Sequence, residues 1–186
     1  MHYLVASKPA ACPPGFHTVA DGEMVSFEEP WSFGHPLIAR LDDGPVDAAK
    51  VRSALGEGVN AFAVEGLDAP GSGQAYVLGG HIMRDIERFK PYAAAVPEVV
   101  KSFGGRFLAR GGTVTPIAGH FVPERVVLLE FPTAEQALAF YISDRYAPLL
   151  KIRLATTEAR LVIVARSGDL PPQVRAKAAA YLRGQR

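Results

Sequence analysis

Along Arg125-Val126-Val127-Leu128-Leu129-Glu130-Phe131, an extended chain points Val126, Leu128 and Glu130 one way and Val127, Leu129 and Phe131 the other, yet both sets are largely apolar. Leu161-Val162-Ile163-Val164-Ala165 behaves likewise. An antiparallel sheet with a wet face alternates polar and apolar residues, so a sheet holding these strands must be covered on both faces. Helices cover one. The second cover is most simply another copy of the same sheet. With 48% of its 186 residues apolar, the chain can bury one good core, or one domain plus a sizeable extension.

The elements around these strands are legible from residue 74 onward. Ala75 to Ile82 is an apolar run of strand formers behind Gly71-Ser72-Gly73. Asp85 is placed to cap a helix whose apolar stripe is Ile86, Phe89, Ala93, Val96, Val100 and Phe103, with Gly104 as its left-handed stop. Pro91 and Pro97 each remove a backbone donor and predict a bend or a fresh start. Arg106 to Arg110 is a second strand, joined as a hairpin to a third, Arg125 to Phe131, through a turn around Gly119. Thr133 with Gln136 is a capping-box pattern opening a second helix. Ser143 caps a further turn toward Leu149 and Leu150, with Pro148 marking a break, and Leu161 to Ala165 is the fourth strand. Strand, helix, strand, strand, helix, strand is the order of an α+β, ferredoxin-like βαββαβ plait with both helices on one face of an antiparallel sheet.

Gly104-Gly105-Arg106-Phe107-Leu108-Ala109-Arg110-Gly111-Gly112, followed by Pro123 to Pro132 and by Tyr141, Ser143, Tyr146 and Arg153, resembles the bacterial family called domain of unknown function 1330. That family is a branch of the dimeric α/β-barrel superfamily, and the resemblance covers roughly residues 74 to 166. It implies a homodimer formed sheet face to sheet face. Superfamily relatives include cofactor-free monooxygenases, isomerases and haem-degrading enzymes, and some bind haem through histidine; fold-level kinship alone does not carry function.

Residues 1–73 form an amino-terminal extension or degenerate α+β subdomain, 74–168 the plait, and 169–186 a terminal helix with Val174, Ala178, Tyr181 and Leu182 on one side. Between Pro9 and Pro36 the density of Pro, Gly and aromatics predicts irregular chain with short strands near Phe16 to Val19 and Met24 to Phe27. Leu37 to Leu41, a helix around Val46 to Leu55, and Val59 to Val64 make a strand, helix, strand unit. That unit has the form of half a second plait, although no residue-level self-similarity supports a repeat.

The 20 basic and 19 acidic residues nearly cancel without forming runs, which excludes an electrostatic footprint for nucleic acid or anionic lipid. No apolar run reaches bilayer length, no basic leader precedes an apolar segment, and the lone Cys12 allows neither an intrachain disulfide nor a cysteine cluster. The expectation is a soluble, cytoplasmic protein.

Glu130 is the sharpest candidate for chemistry: desolvated in a central strand it could serve as a general base, or it pairs with Arg106 or Arg110, or it sits at an exposed strand end. Strand alternation puts Arg106 and Arg110 on one face, able to hold a carboxylate bidentately or simply to face water from an edge strand. Arg125 and Arg153 stand at further polar positions of the family pattern. His81 and His120 are candidate acids, bases or haem ligands, or ordinary hydrogen-bonded residues. Tyr76, Tyr92, Tyr141 and Tyr146 with Phe89, Phe107 and Phe140 could line a cavity between sheet and helices, or form core. No metal-ligand spacing, phosphate loop or nucleophile elbow is present in the sequence. The expected function is binding of a small hydrophobic or carboxylated molecule, with Glu130 and His81 as catalytic candidates and Arg106, Arg110, Tyr76, Tyr141, Arg153 and His120 as binding candidates in a cofactor-independent enzyme of the proton-transfer, isomerase or monooxygenase type. The alternative is a non-catalytic ligand-binding or assembly module.

Overall fold

A computed structural model describes residues 1–7, 11–28 and 35–184. The parts of the irregular stretch at 8–10 and 29–34 lie outside the described residues. Among those described, the chain is a mixed α/β structure of two five-stranded antiparallel sheets and five helices.

The elements are β1 (His2–Ser7), β2 (His17–Ala20), β3 (Met24–Ser26), β4 (Pro36–Leu41), α1 (Ala48–Leu55), β5 (Ala61–Glu65), β6 (Ala75–Met83), α2 (Ile86–Ser102), β7 (Arg106–Arg110), β8 (Val114–Ala118), β9 (Arg125–Phe131), α3 (Ala134–Tyr141), α4 (Ala147–Thr156), β10 (Thr157–Ala165) and α5 (Pro172–Gly184). The first sheet runs β2-β4-β1-β5-β8 and the second β3-β10-β6-β9-β7.

Helix starts fall where the capping residues place them. The Asp85 carboxylate accepts from the Arg88 amide at 3.0 Å, Thr133 Oγ1 from the Gln136 amide at 3.2 Å, and Ser143 Oγ from the Tyr146 amide at 3.1 Å. α2 ends at Gly104, whose φ of 75° lets the Gly105 amide turn back to the Val100 carbonyl at 3.0 Å. The expected break at Pro91 and Pro97 does not interrupt α2, which runs through both. Pro148 lies in the first turn of α4, where a missing amide hydrogen costs nothing.

Both faces of the second sheet are buried, as its two-sided apolar strands require. Val77, Leu129, Phe131, Leu161 and Ile163 face α2, α3 and α5. Tyr76, Leu78, Val126, Leu128, Val162 and Val164 face the other way, onto Tyr3, Val5, Ile38, Phe62 and Val64 of the first sheet. The cover expected from a second copy is therefore built by the chain itself, chiefly from β1, β2, β4 and β5, and the sheet face assigned to a homodimer is already occupied. α1 closes the outer side of the first sheet by packing Val51 and Leu55 on Leu4, Ala6, Ala39 and Ala63. The layers run helix, sheet, sheet, helices.

β1 was not expected from the sequence and is the centre of the first sheet, between β4 and β5, which flank it antiparallel. The hairpin expected between β7 and β9 also differs. The two strands pair, but the connection carries β8 across to the edge of the first sheet beside β5. A segment of the second half thus completes the first.

Because one apolar interface joins the two sheets, Phe62→Ala should cost about 3–5 kcal/mol, the range for an aromatic deletion in a core. Urea unfolding followed by far-ultraviolet circular dichroism should still show a single transition at a lower midpoint. Separate transitions for the two sheets would contradict the shared interface.

Candidate functional site

The expected site residues separate into two clusters on opposite faces of the second sheet, because Tyr76 and His81 lie five residues apart on β6 and strand side chains alternate. The strand partner of Tyr76 is Glu130, and that of His81 is Arg125. Glu130 and His81 therefore do not converge.

Glu130 lies on the sheet-sandwich side, buried at 4% exposure. Its carboxylate accepts from Arg106 Nε at 2.7 Å, from the Gly71 amide at 2.8 and 3.1 Å, from the Gly73 amide at 3.2 Å and from the Tyr76 hydroxyl at 3.4 Å. Arg106 continues to Asp68 at 2.5 Å and to the Ala69 carbonyl at 2.6 Å. These contacts pin the connection between β5 and β6 against the second sheet. Gly73 is required there, since a Cβ would stand 2.3 Å from Glu130 Cγ. Burial first, and then the Glu130 charge, push the Tyr76 phenol up to about 12.

Arg106 and Arg110, expected on one face, are split by a bulge. Arg106 pairs with Glu130 and Phe107 with Leu129, but Ala109 pairs with Leu128 and Arg110 with Val127, so the extra residue Leu108 turns Arg110 to the helix side. There Arg110 donates to the Ala93 carbonyl on α2. That carbonyl is free because the residue four further on is Pro97, which has no amide hydrogen to give it.

The helix side holds His81, Tyr92 and Tyr146 at a cavity of about 20 Å³, space for roughly one water, with Arg153 and Tyr141 behind them. Phe89, Phe107, Phe140 and Leu129 supply its apolar wall. Arg153 is fully buried and donates from Nε to the Tyr146 hydroxyl at 3.0 Å and from NH1 to Glu28 at 2.8 Å. Tyr141 donates to the same carboxylate at 2.8 Å, and the Tyr92 and Tyr146 hydroxyls meet at 3.3 Å. Burial opposes the charge of Arg153, but Tyr146 and Glu28 outweigh it and raise its pKa well above the ordinary value. Burial also drives the Tyr92 and Tyr141 phenols upward, so both remain protonated donors.

His81 Nε2 lies 3.5 Å from Arg153 NH1, and Nδ1 lies 3.4 Å from the Arg125 carbonyl. A guanidinium only donates, so Nε2 is the acceptor and Nδ1 carries the hydrogen. Burial, and then the Arg153 charge, lower the His81 pKa to about 3. Its one basic nitrogen thus faces the Arg153 guanidinium. His120 lies apart from both clusters, in an open groove beside α1 and β8 with Arg52 and Asn60. Among the described residues no group of His, Cys, Asp and Glu could hold a metal ion. No described helix is long and apolar enough to cross a membrane.

Glu28 was not singled out in the sequence. It lies two residues beyond β3 and reaches Arg153, 125 residues away, so no local spacing marks it.

The folded state holds His81 neutral, whereas an unfolded imidazole titrates near 6.5. Between pH about 6.5 and about 3 the unfolded chain binds the extra proton, so the stability that burial of the neutral ring allows is complete above 6.5 and declines as pH falls through that window. Urea midpoints of His81→Gln should fall less than those of the parent protein between pH about 7 and about 5. An His81 NMR resonance titrating near 6.5 in the native protein would contradict the assignment.

Residues 74–167 match the family described as Domain of unknown function (DUF1330). No curated protein matches significantly. Among solved structures, a protein of unknown function from Rhodopseudomonas palustris is 18% identical, over 51% of this chain and 83% of that one, with a TM-score of 0.41. A structure described as a major regulator of staphylococcal pathogenesis is 12% identical, over 88% of this chain and 98% of that one, with a TM-score of 0.45. Likeness at that level carries no argument about either fold or function. The family match spans half of the sequence, and the chain belongs to the DUF1330 family.

Proposed function

We propose that the protein binds a small molecule in the cavity between its second sheet and the helices α2, α3 and α4. The observation that carries this reading is the buried chain Glu28, Arg153, Tyr146 and Tyr92, which reaches the cavity at Tyr146 and Tyr92 with His81 beside it, in a wall that is mainly aromatic and aliphatic. Burying a guanidinium and its carboxylate is expensive compared with apolar packing, and an apolar recess with a few converging polar groups is the usual form of a ligand site. His81, Arg110, Tyr141 and Arg153 belong to this reading, whereas Glu130, Arg106 and Tyr76 serve to hold the connection between the sheets.

Binding without turnover is the stronger form of the proposal. The imidazole lone pair is taken by Arg153, and Glu130, the other candidate base, lies on the opposite face in an ion pair. The order β10-β6-β9-β7 with helices on one side supports reading the second sheet as a ferredoxin-like plait. The first sheet then stands where a dimeric α/β barrel has its partner.

A thermal-shift screen against small metabolites tests the site. A ligand at about 100 times its Kd adds about 2.7 kcal/mol, a rise of several degrees for a chain of this size. The rise should disappear in Val127→Phe, which fills the cavity from β9. Shifts that survive this substitution, or none across the screen, would contradict the proposal.

A further inference from the structure

Two arginines at the same cavity are not used by the network above. Arg110 leaves β7 and Arg125 opens β9, and both line the cavity wall with Phe89 and Phe107. The Arg110 guanidinium lies 5.0 Å from the centre of the Phe107 ring, and that of Arg125 lies 5.5 Å from the centre of Phe89. Among the described residues neither forms an ion pair, and the buried Arg125 Nε has no hydrogen-bond partner. The carboxylate of this face, Glu28, is committed to Arg153 and Tyr141. Burial and then the nearby Arg110 lower the Arg125 pKa, so the two cations repel each other in a partly dry place. An unpartnered buried donor beside two neighbouring positive charges favours an anionic ligand.

We propose that Arg110 and Arg125 together receive the carboxylate of a hydrophobic monocarboxylic acid, whose apolar remainder lies among Phe89, Tyr92, Phe107 and Phe140. This deepens the binding reading above and rests on it. The geometry also supplies the route in. A cavity of about 20 Å³ admits no such molecule until its wall moves, and Arg110 is the movable part. It is parked on the Ala93 carbonyl that Pro97 leaves free, a neutral single acceptor that a carboxylate outcompetes by bringing a full opposite charge and two oxygens for a bidentate bond. Turning Arg110 from Ala93 to the ligand releases the α2 side of the cavity. The sequence expectation of a paired-arginine carboxylate site is retained with a different pair, since the bulge at Leu108 removes Arg106 from it.

The test compares phenylacetate, 2-phenylethanol and inorganic phosphate as probes by NMR titration of the full chain at constant ionic strength. Phenylacetate should bind at least about tenfold tighter than the alcohol, which presents the same ring without charge, and phosphate more weakly than phenylacetate. Arg110→Gln with Arg125→Gln should bring the acid and the alcohol to within about twofold of each other, and Arg110→Lys with Arg125→Lys should keep part of the preference, which separates loss of recognition from loss of fold. Equal binding of acid and alcohol to the parent protein would overturn the carboxylate assignment while leaving the cavity a ligand site. Phosphate binding as tightly as phenylacetate would overturn the hydrophobic class, and binding of none of the three would overturn the inference, whereas the metabolite screen with Val127→Phe decides the underlying reading separately.

Discussion

Removal of water from the inner face of the second sheet sets the terms for the rest of the chain. Tyr76, Leu78, Val126, Leu128, Val162 and Val164 present a face that no helix of their own half reaches, and each large apolar side chain among them gains roughly 1.5–3 kcal/mol on burial. The chain satisfies that demand with the first sheet, in which β1, β2, β4 and β5 present a matching face of Tyr3, Val5, Ile38, Phe62 and Val64. The devices at the seam follow from this. β8 crosses to the first sheet, and Glu130 with Arg106 fastens the connection between β5 and β6, so the seam is held at both of these places.

Once one face is sealed against another sheet, the interior that remains for chemistry is on the helix side. There the polar groups lie within apolar surroundings, and each is answered: Arg153 by Glu28 and Tyr146, His81 by Arg153 and a backbone carbonyl, Tyr141 by Glu28. Arg125 is the exception, with a buried Nε that has no partner. A network complete in itself holds its members in fixed protonation states. A donor left over at its margin is where an incoming group finds an unmet demand.

Much of the second half was legible because its signals are local. Asp85, Thr133 and Ser143 are caps whose bonds span three residues, and the alternating strand faces depend only on period two. The need for a second covering layer was also readable from β9 and β10, but its source was not. Whether a matching face comes from another copy or from the same chain depends on β1, which has too few residues and too little punctuation to mark itself as a central strand. Glu28 was illegible for a related reason: its partner is remote, and an acidic residue beside prolines and aromatics reads as solvent-facing loop. The pairing of Arg106 with Arg110 failed on a single extra residue, since a bulge at Leu108 inverts the side-chain parity that alternation assumes.

The central claim is that one chain supplies both layers of the sandwich, and isotope-filtered nuclear Overhauser spectroscopy on a mixture of labelled and unlabelled chains measures it directly. Contacts from Ile38, Phe62 and Val64 to Leu78, Leu128 and Val164 should appear as intrachain signals and be missing from the spectrum filtered for contacts between chains. The same cross-peaks in the interchain spectrum would show that the cover comes from another molecule and would contradict the account.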